Sequence, residues 1–357
     1  MRLKVCFMLW FVNLLPTCQQ NQEHSILGFA MPRVLLSGFE PFGSYEINPT
    51  ELIVNSFPST LPLKNPFGKG SSEVSIEKRV LNVDESGSNW TAQQLESREW
   101  DAILHLGLCG ECTRPRIETR AEDLLDMRIP DNSGRQKVGV QLSGNGDLQN
   151  PLPIKKWGVN QWEFDVELST NAGRFICNET YFRTLEALAQ HQFAIPCLFL
   201  HLPSDAYFSK KDSIKLIRQI LAHMLYKPLI KVAAGMFTSE QGFLAMKRSQ
   251  SEPQPGKWEF PGGTIERGEN PEDALLRELL EELGIQTNII KKAGLWRHNY
   301  PFMSVEIHGF IVDSTEFDKI ELKVHSEMKW ISTADDLNLD WLDADVAIVK
   351  DLLDGRY

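Results

Sequence analysis

The chain has 357 residues, 42% hydrophobic and 24% charged, with a net charge of −11 and six cysteines. That is globular material long enough for about two domains, and it excludes a disordered chain. The acidic balance argues against a nucleic-acid polymer as partner, since such binding depends on basic surface, and so few cysteines exclude a disulfide scaffold.

At the N-terminus, MRLKVCFMLWFVNLLPTC sets basic residues before an apolar run, as a secretory signal does, but no clean small-x-small cleavage site follows. The run is short for a membrane span, so no membrane partner is expected. The preferred alternative starts the protein at Met31, where MPRVLLSGFEPFG opens at once on a strand-like run. A cytoplasmic location then follows, and the apolar N-terminus keeps an exported form open. On either reading residues 1–30 lie outside the fold.

From Met31 to about Tyr226, the apolar runs RVLLSGF, AILHLGL and CLFLHLP alternate with the amphipathic stretches NETYFRTLEALAQH and SIKLIRQILAHML. Such alternation predicts an α/β domain with a mixed, largely parallel sheet flanked by helices. The Gly-, Pro-, Asn- and Asp-rich segment from Pro115 to Trp162 predicts loops and short hairpins. After Lys227 the pattern changes to LIKVAAGMF, GFLAMKR, a glycine-opened helix, VEIHGFIVD, EMKWIS and a closing helix at ADVAIVKDLL. That is an α+β domain. The expected division is 31–227 and 228–357, joined at Lys227-Pro228 with so little linker that the domains should touch.

The first domain holds four motifs: GFEPFG (Gly38 to Gly43) followed by INP, RIPDN (Arg128 to Asn132), NAGRFICN (Asn171 to Asn178) and LFLHLP (Leu198 to Pro203). A thiol becomes a nucleophile when a neighbouring base takes its proton, and the base needs an acidic partner to fix its orientation. Cys177 falls where a helix should start, and His201 at the C-terminal edge of a strand, where α/β sites form. Together and in this order the motifs resemble pyroglutamyl peptidase I, a cysteine peptidase family, over residues 33–225. The resemblance implies Cys177 as nucleophile, His201 as general base and Glu118 as orienting carboxylate. It also implies Arg128 near the oxyanion, Phe39 and Phe42 sandwiching the pyroglutamyl ring, pyroglutamyl peptides as substrates and no cofactor. Two departures stand beside it. Leu108 replaces a glutamine, and Cys109 through Cys112 replaces a glycine-rich turn. The Cys109/Cys112 spacing alone is a weak zinc signal, and a glycine-flanked loop should expose both thiols.

The second domain carries Gly263, five residues, Glu269, seven residues, Arg277-Glu278-Leu279, one residue, Glu281-Glu282, one residue, and Gly284-Ile285. On a helix Glu278, Glu281 and Glu282 share a face, and three like charges there call for a cation. The spacing matches the Nudix signature, and with WEFPGG before it and LDWLDADVAIV near the end it resembles the MutT-like nucleoside triphosphate pyrophosphohydrolases. The resemblance implies that Glu278, Glu281 and Glu282, with the Gly263 carbonyl, hold Mg²⁺ or Mn²⁺. Glu278 is then also the general base, and Arg277 and Glu269 support the site. Lys247 and Arg248 lie where basic residues approach the phosphates, unless they are ordinary surface cations. Asp345 lies where a carboxylate reads the base edge by accepting hydrogen bonds. Val324 replaces a glutamate that relatives use as a further ligand, with Glu327 as a shifted substitute. The chain thus reads as a bifunctional hydrolase acting on pyroglutamyl peptides and a nucleoside triphosphate, oxidised nucleotides included, with association of copies left open. In the rival reading the first domain is a silent binding or dimerisation module.

Overall fold

The structure is a computed structural model and describes residues 31–356; the expectation for residues 1–30 lies outside the described residues. The first half contains strands β1 (Arg33–Phe39), β2 (Thr60–Lys64), β3 (Ser71–Leu81), β4 (Ala102–Leu108), β5 (Arg116–Glu118), β6 (Arg120–Ala121), β7 (Leu148–Gln149), β8 (Glu167–Ser169) and β9 (Cys197–Leu202). Its helices are α1 (Pro49–Ser56), α2 (Glu85–Gln94), α3 (Ile176–Gln190) and α4 (Lys210–Leu225). Seven strands form one sheet in the order β2-β3-β1-β4-β9-β5-β8. The central pairs β1·β3, β1·β4 and β4·β9 are parallel, whereas β2·β3 and β5·β9 are antiparallel.

The continuous apolar runs of β1, β4 and β9 follow from burial on both faces. Val34 and Leu36 of β1 enter the layer filled by α1 and α4, and Leu35 and Phe39 enter the opposite layer, filled by α2 and α3. The segment from Pro115 to Trp162 is mostly irregular, with the two-residue antiparallel pair β6·β7. It also supplies β5, a three-residue strand that the loop reading did not anticipate and that carries Glu118.

The second half contains β10 (Leu229–Ser239), β11 (Gly242–Arg248), β12 (Trp258–Glu259), β13 (Gly262–Thr264), α5 (Pro271–Leu283), β14 (Asn288–Asn299), β15 (Ser304–Asp313), β16 (His325–Ile331) and α6 (Val346–Leu353). Strands run β12-β11-β10-β15-β14, with β13 on β10 and β16 on β11. Helix α5 starts where the Asn270 side chain accepts the Asp273 N–H and Pro271 follows, and it stops at Gly284 with φ of 70°. Its apolar stripe of Ala274, Leu275, Leu279 and Leu283 packs under one face of the sheet, and Ile348, Val349 and Leu352 of α6 cover the other. The glutamates of α5 are thereby turned toward β13. Among the described residues no helix is long and apolar enough to cross a membrane.

Candidate active sites

Three elements meet in the first half. Cys177 is the second residue of α3 and is partly exposed. Phe175 at the N-cap makes no side-chain cap bond, so the first N–H groups of this helix keep their positive end toward the thiol. His201 lies on β9, and β5 runs antiparallel beside it, which brings Glu118 Oε1 to 2.8 Å from His201 Nδ1. Glu118 is fully buried, and its Oε2 has no hydrogen-bond partner. Gly107, paired with His201, leaves the room the ring needs: a Cβ there would stand 2.6 Å from Phe199 Cε1 and 2.9 Å from His201 Cδ2. A glycine inside a strand run signals such close approach, so HLGL carried a clue that the motif reading passed over.

Burial pulls the His201 pKa down, but hydrogen bonds with Cys177 and Glu118 outweigh it and bring it up to about 9. His105, on neighbouring β4, is as deeply buried but has only Ser37 Oγ at 2.6 Å and Thr184 Oγ1 at 3.2 Å for partners. Burial drives its pKa down to about 3 and keeps it neutral. The two histidines differ in their neighbours, and only His201 is held charged.

Several motif residues build the frame of the site. Arg135 bonds Asp131 at 2.8 Å and Glu179 at 2.6 Å, tying RIPDN to the first turn of α3. Asn178, next to Cys177, accepts from the Glu122 N–H and donates to the Glu122 and Leu124 carbonyls. Asn132 donates to Glu40 at 2.8 Å, joining RIPDN to GFEPFG. Phe42 is half-buried between Phe175 and Tyr45, at centroid distances of 5.9 and 5.5 Å. Tyr45 and Phe175 are aromatics that the motif reading did not single out.

Two expectations, for Phe39 and for the pair Cys109 and Cys112, need correction here. Phe39 is 2% exposed and stacks on Phe199 at 6.3 Å, so it belongs to the core beneath the site. Arg128 is 89% exposed, with its guanidinium 4.0 Å from Glu111. Cys109 and Cys112 are joined in a disulfide, with Cα atoms 5.4 Å apart, and offer neither free thiols nor a zinc pair. Sparse cysteines exclude a scaffold but not one local bridge. Leu108 ends β4 opposite Leu202.

In the second half, Arg277 organises the carboxylates. It grips Glu269 with Nε and Nη2, both at 3.0 Å, holds Glu278 Oε1 at 2.8 Å and donates to the Thr264 carbonyl at 3.1 Å. Glu281 is 3.7 Å from Arg277 and largely exposed. Glu282 turns inward, where its Oε2 accepts the Gly262 N–H at 3.2 Å. Burial first, and then the charges of Glu259 and Glu278, raise its pKa to about 7, against the opposing pull of His325. Hard oxygen donors with charge left uncompensated beside Gly262 and Gly263 fit a divalent cation. Among the described residues, no three acidic, His or Cys groups already stand at ligand spacing around one point.

Glu259 and His325, not singled out in the sequence, belong to this cluster. Glu259 receives Arg248 Nη1 at 2.6 Å and lies 3.1 Å from His325 Nε2. Arg248 is thus engaged with a carboxylate, and Lys247 pairs with Glu327 at 3.3 Å. Glu327, expected as a shifted ligand, is exposed and neutralised by that lysine. Asp345 is buried and accepts the Phe260 N–H at 3.1 Å. Burial raises its pKa to about 8, so near neutral pH it is a protonated donor, and not the charged acceptor expected.

The pyroglutamyl peptidase family model matches residues 32–219, more than half of the chain. The chain belongs to the pyroglutamyl peptidase family. A NUDIX domain model matches residues 228–351, so both resemblances drawn from the motifs are borne out and both halves are hydrolase domains. Pyrrolidone-carboxylate peptidases of Streptococcus pyogenes serotypes M3 and M4 are 29% identical over 175 residues, 48% of this chain and 77% of theirs. The solved pyrrolidone carboxyl peptidase from Thermococcus litoralis has a TM-score of 0.49 and 24% identity, over 55% of this chain and 94% of that one. That from Thermus thermophilus has a TM-score of 0.45 and 30% identity, over 53% of this chain and 99% of that one.

Proposed function

We propose that the chain is a bifunctional hydrolase, removing N-terminal pyroglutamate through Cys177 and splitting a nucleoside triphosphate at the Nudix carboxylates. The observation that carries the first activity is a thiol beside a histidine held charged at 2.8 Å from a fully buried glutamate. The Cys177 sulfur, with its proton carried by His201, attacks the pyroglutamyl carbonyl carbon, and the uncapped N–H groups of α3 receive the developing oxyanion. As the C–N bond breaks, His201 passes its proton to the leaving amine, leaving a thioester. Water then adds to the thioester carbon, gives a proton to His201 and, as the C–S bond breaks, releases pyroglutamate and restores the Cys177–His201 pair. Glu118 keeps Nδ1 protonated and the ring oriented, and Phe42 lies against the pyroglutamyl ring. A silent binding module has no use for a thiol–imidazole pair of this kind, which favours the active reading.

In the second half, Glu278, Glu281, Glu282 and the Gly263 carbonyl would hold Mg²⁺ or Mn²⁺. A divalent ion there would neutralise phosphate charge and make a water easier to deprotonate. Glu278 takes the proton of the attacking water as a P–O bond forms and the bridging P–O bond breaks, giving monophosphate and pyrophosphate. Arg277 positions Glu278 and Glu269, and Asp345 meets the base as a hydrogen-bond donor. The test is a paired assay of the full chain on a pyroglutamyl anilide and a panel of nucleotides. Cys177→Ser should remove only the first activity and Glu278→Gln only the second. Anilide cleavage surviving in C177S, or both activities falling in either folded variant, overturns the proposal.

A further inference from the structure

The turn Ile154–Trp157 buries Ile154 and Trp157 in the core beneath α1 and α4, which leaves the intervening Lys155 and Lys156 outside. Lys156 reaches into the other half of the chain, where its Nζ donates to Thr264 Oγ1 at 3.0 Å. Thr264 follows Gly263 in β13, and its carbonyl is held by Arg277 at 3.1 Å. A second contact fixes the approach, because Phe302, between β14 and β15, packs against the same core as Ile154 and Trp157. The two halves therefore meet beside the Nudix loop.

We propose that Lys156, carried by the peptidase half, is a phosphate-binding residue of the Nudix site and receives the polyphosphate of the nucleotide. The inference rests on reading that half as a nucleotide pyrophosphohydrolase. Charge is the first reason. Arg277 is taken by Glu269 and Glu278, Arg248 by Glu259 and Lys247 by Glu327. Lys156 faces only a neutral hydroxyl, and among the described residues no carboxylate lies within 4.0 Å of its ammonium. Geometry is the second reason. An ammonium has three donors, and one on Thr264 leaves two free, one residue along β13 from Gly263, which faces Glu278 of α5. Binding a phosphate there desolvates no existing ion pair, whereas recruiting Arg248 would first break its bond to Glu259.

The test compares wild type, Lys156→Met and Lys156→Arg as full chains, with Mg²⁺ and each nucleotide the wild type hydrolyses. Losing a charge-assisted hydrogen bond should raise KM about tenfold, with little change in kcat. Lys156→Arg should recover most of the affinity, and KM should become less sensitive to salt in Lys156→Met. Pyroglutamyl anilide cleavage, whose residues lie elsewhere, should be unchanged in both variants. An active wild type whose KM and salt dependence survive in Lys156→Met overturns the role of Lys156. A wild type that hydrolyses no nucleotide overturns the underlying reading itself.

Discussion

Gly263→Ala separates the carboxylate geometry of the Nudix half from its folding. A Cβ at Gly263 would run into the Glu278 carboxylate carbon and stand 2.5 and 2.6 Å from its two oxygens. A carbon–oxygen contact closes at about 3.3 Å and the carboxylate carbon is nearer still, so the carboxylate must withdraw by roughly 1 Å. What yields is the end of a flexible side chain held by Arg277 at 2.8 Å, and not backbone. The cost in stability should stay below about 1 kcal/mol. Misplacement of a reacting group by about 1 Å can cost roughly 10²-fold in rate, so kcat for nucleotide hydrolysis should fall by about that factor while anilide cleavage persists. The neighbouring glycine supplies the contrast. Gly262 has φ of 143°, and a Cβ there would run into the Ala233 carbonyl and stand 3.0 Å from the Ala234 Cα. Gly262→Ala should therefore lower the melting temperature, through strain of about 1–3 kcal/mol. Parallel thermal unfolding and nucleotide assays decide. A Gly263→Ala protein with wild-type kcat, or one whose loss of rate merely tracks its loss of stability, refutes the reasoning.

Chelation by EDTA should abolish nucleotide hydrolysis and spare anilide cleavage, with Mg²⁺ restoring the former; a chelator-resistant nucleotide activity contradicts the carboxylate site. Because the His201 pKa of about 9 lies above its unfolded value of 6.5, the stability that its charge confers is complete below about 6.5. That stability, and kcat/KM for the anilide with it, should be lost as pH rises through about 9. Glu118→Gln should move this alkaline limb to lower pH and reduce kcat/KM by about 10²-fold, and a limb that stays in place argues against Glu118 as the source of the charge. Brief treatment with limiting alkylator, followed by peptide mapping, should label Cys177 ahead of the other described cysteines. Cys197 is 1% exposed and burial pushes its pKa up, while Cys109 and Cys112 react only after reduction. Leading label at Cys197, or no label at Cys177 in folded protein, counts against the peptidase site.

The elements legible in the sequence were those whose burial is strong and simple. RVLLSGF, AILHLGL and CLFLHL are apolar because both faces of β1, β4 and β9 are covered. Helix α5 announced itself through its glycine-rich opening and the spacing of Glu278, Glu281 and Glu282. Elements that lack such a signal were passed over. Strand β5 has three residues and exists because β8 and β9 flank it, which no window of sequence reveals. Strand β14 has twelve residues, is bulged against β15 and is mostly open to solvent, so its apolar residues follow no clean alternation.

The site was legible as an inventory of chemistry more than as a geometry. Cys177, His201 and Glu118 could be named from motifs, but not the reason His201 is charged while equally buried His105 is neutral. That reason is the identity of the groups set beside each ring, and it depends on pairing between strands far apart in sequence. Arg128 is the converse case. It sits in a motif whose other members, Asp131 and Asn132, grip Arg135 and Glu40, so the motif has structural work without it and its own side chain projects into solvent. In the Nudix half the spacing identified the three glutamates of one helix face, yet Glu259 and His325 come from strands on either side of β11, and only the sheet unites them. Lys156 is the extreme case. It lies more than a hundred positions before Thr264 and in another domain, so only the packing of Phe302 and the turn Ile154–Trp157 could bring its charge beside β13.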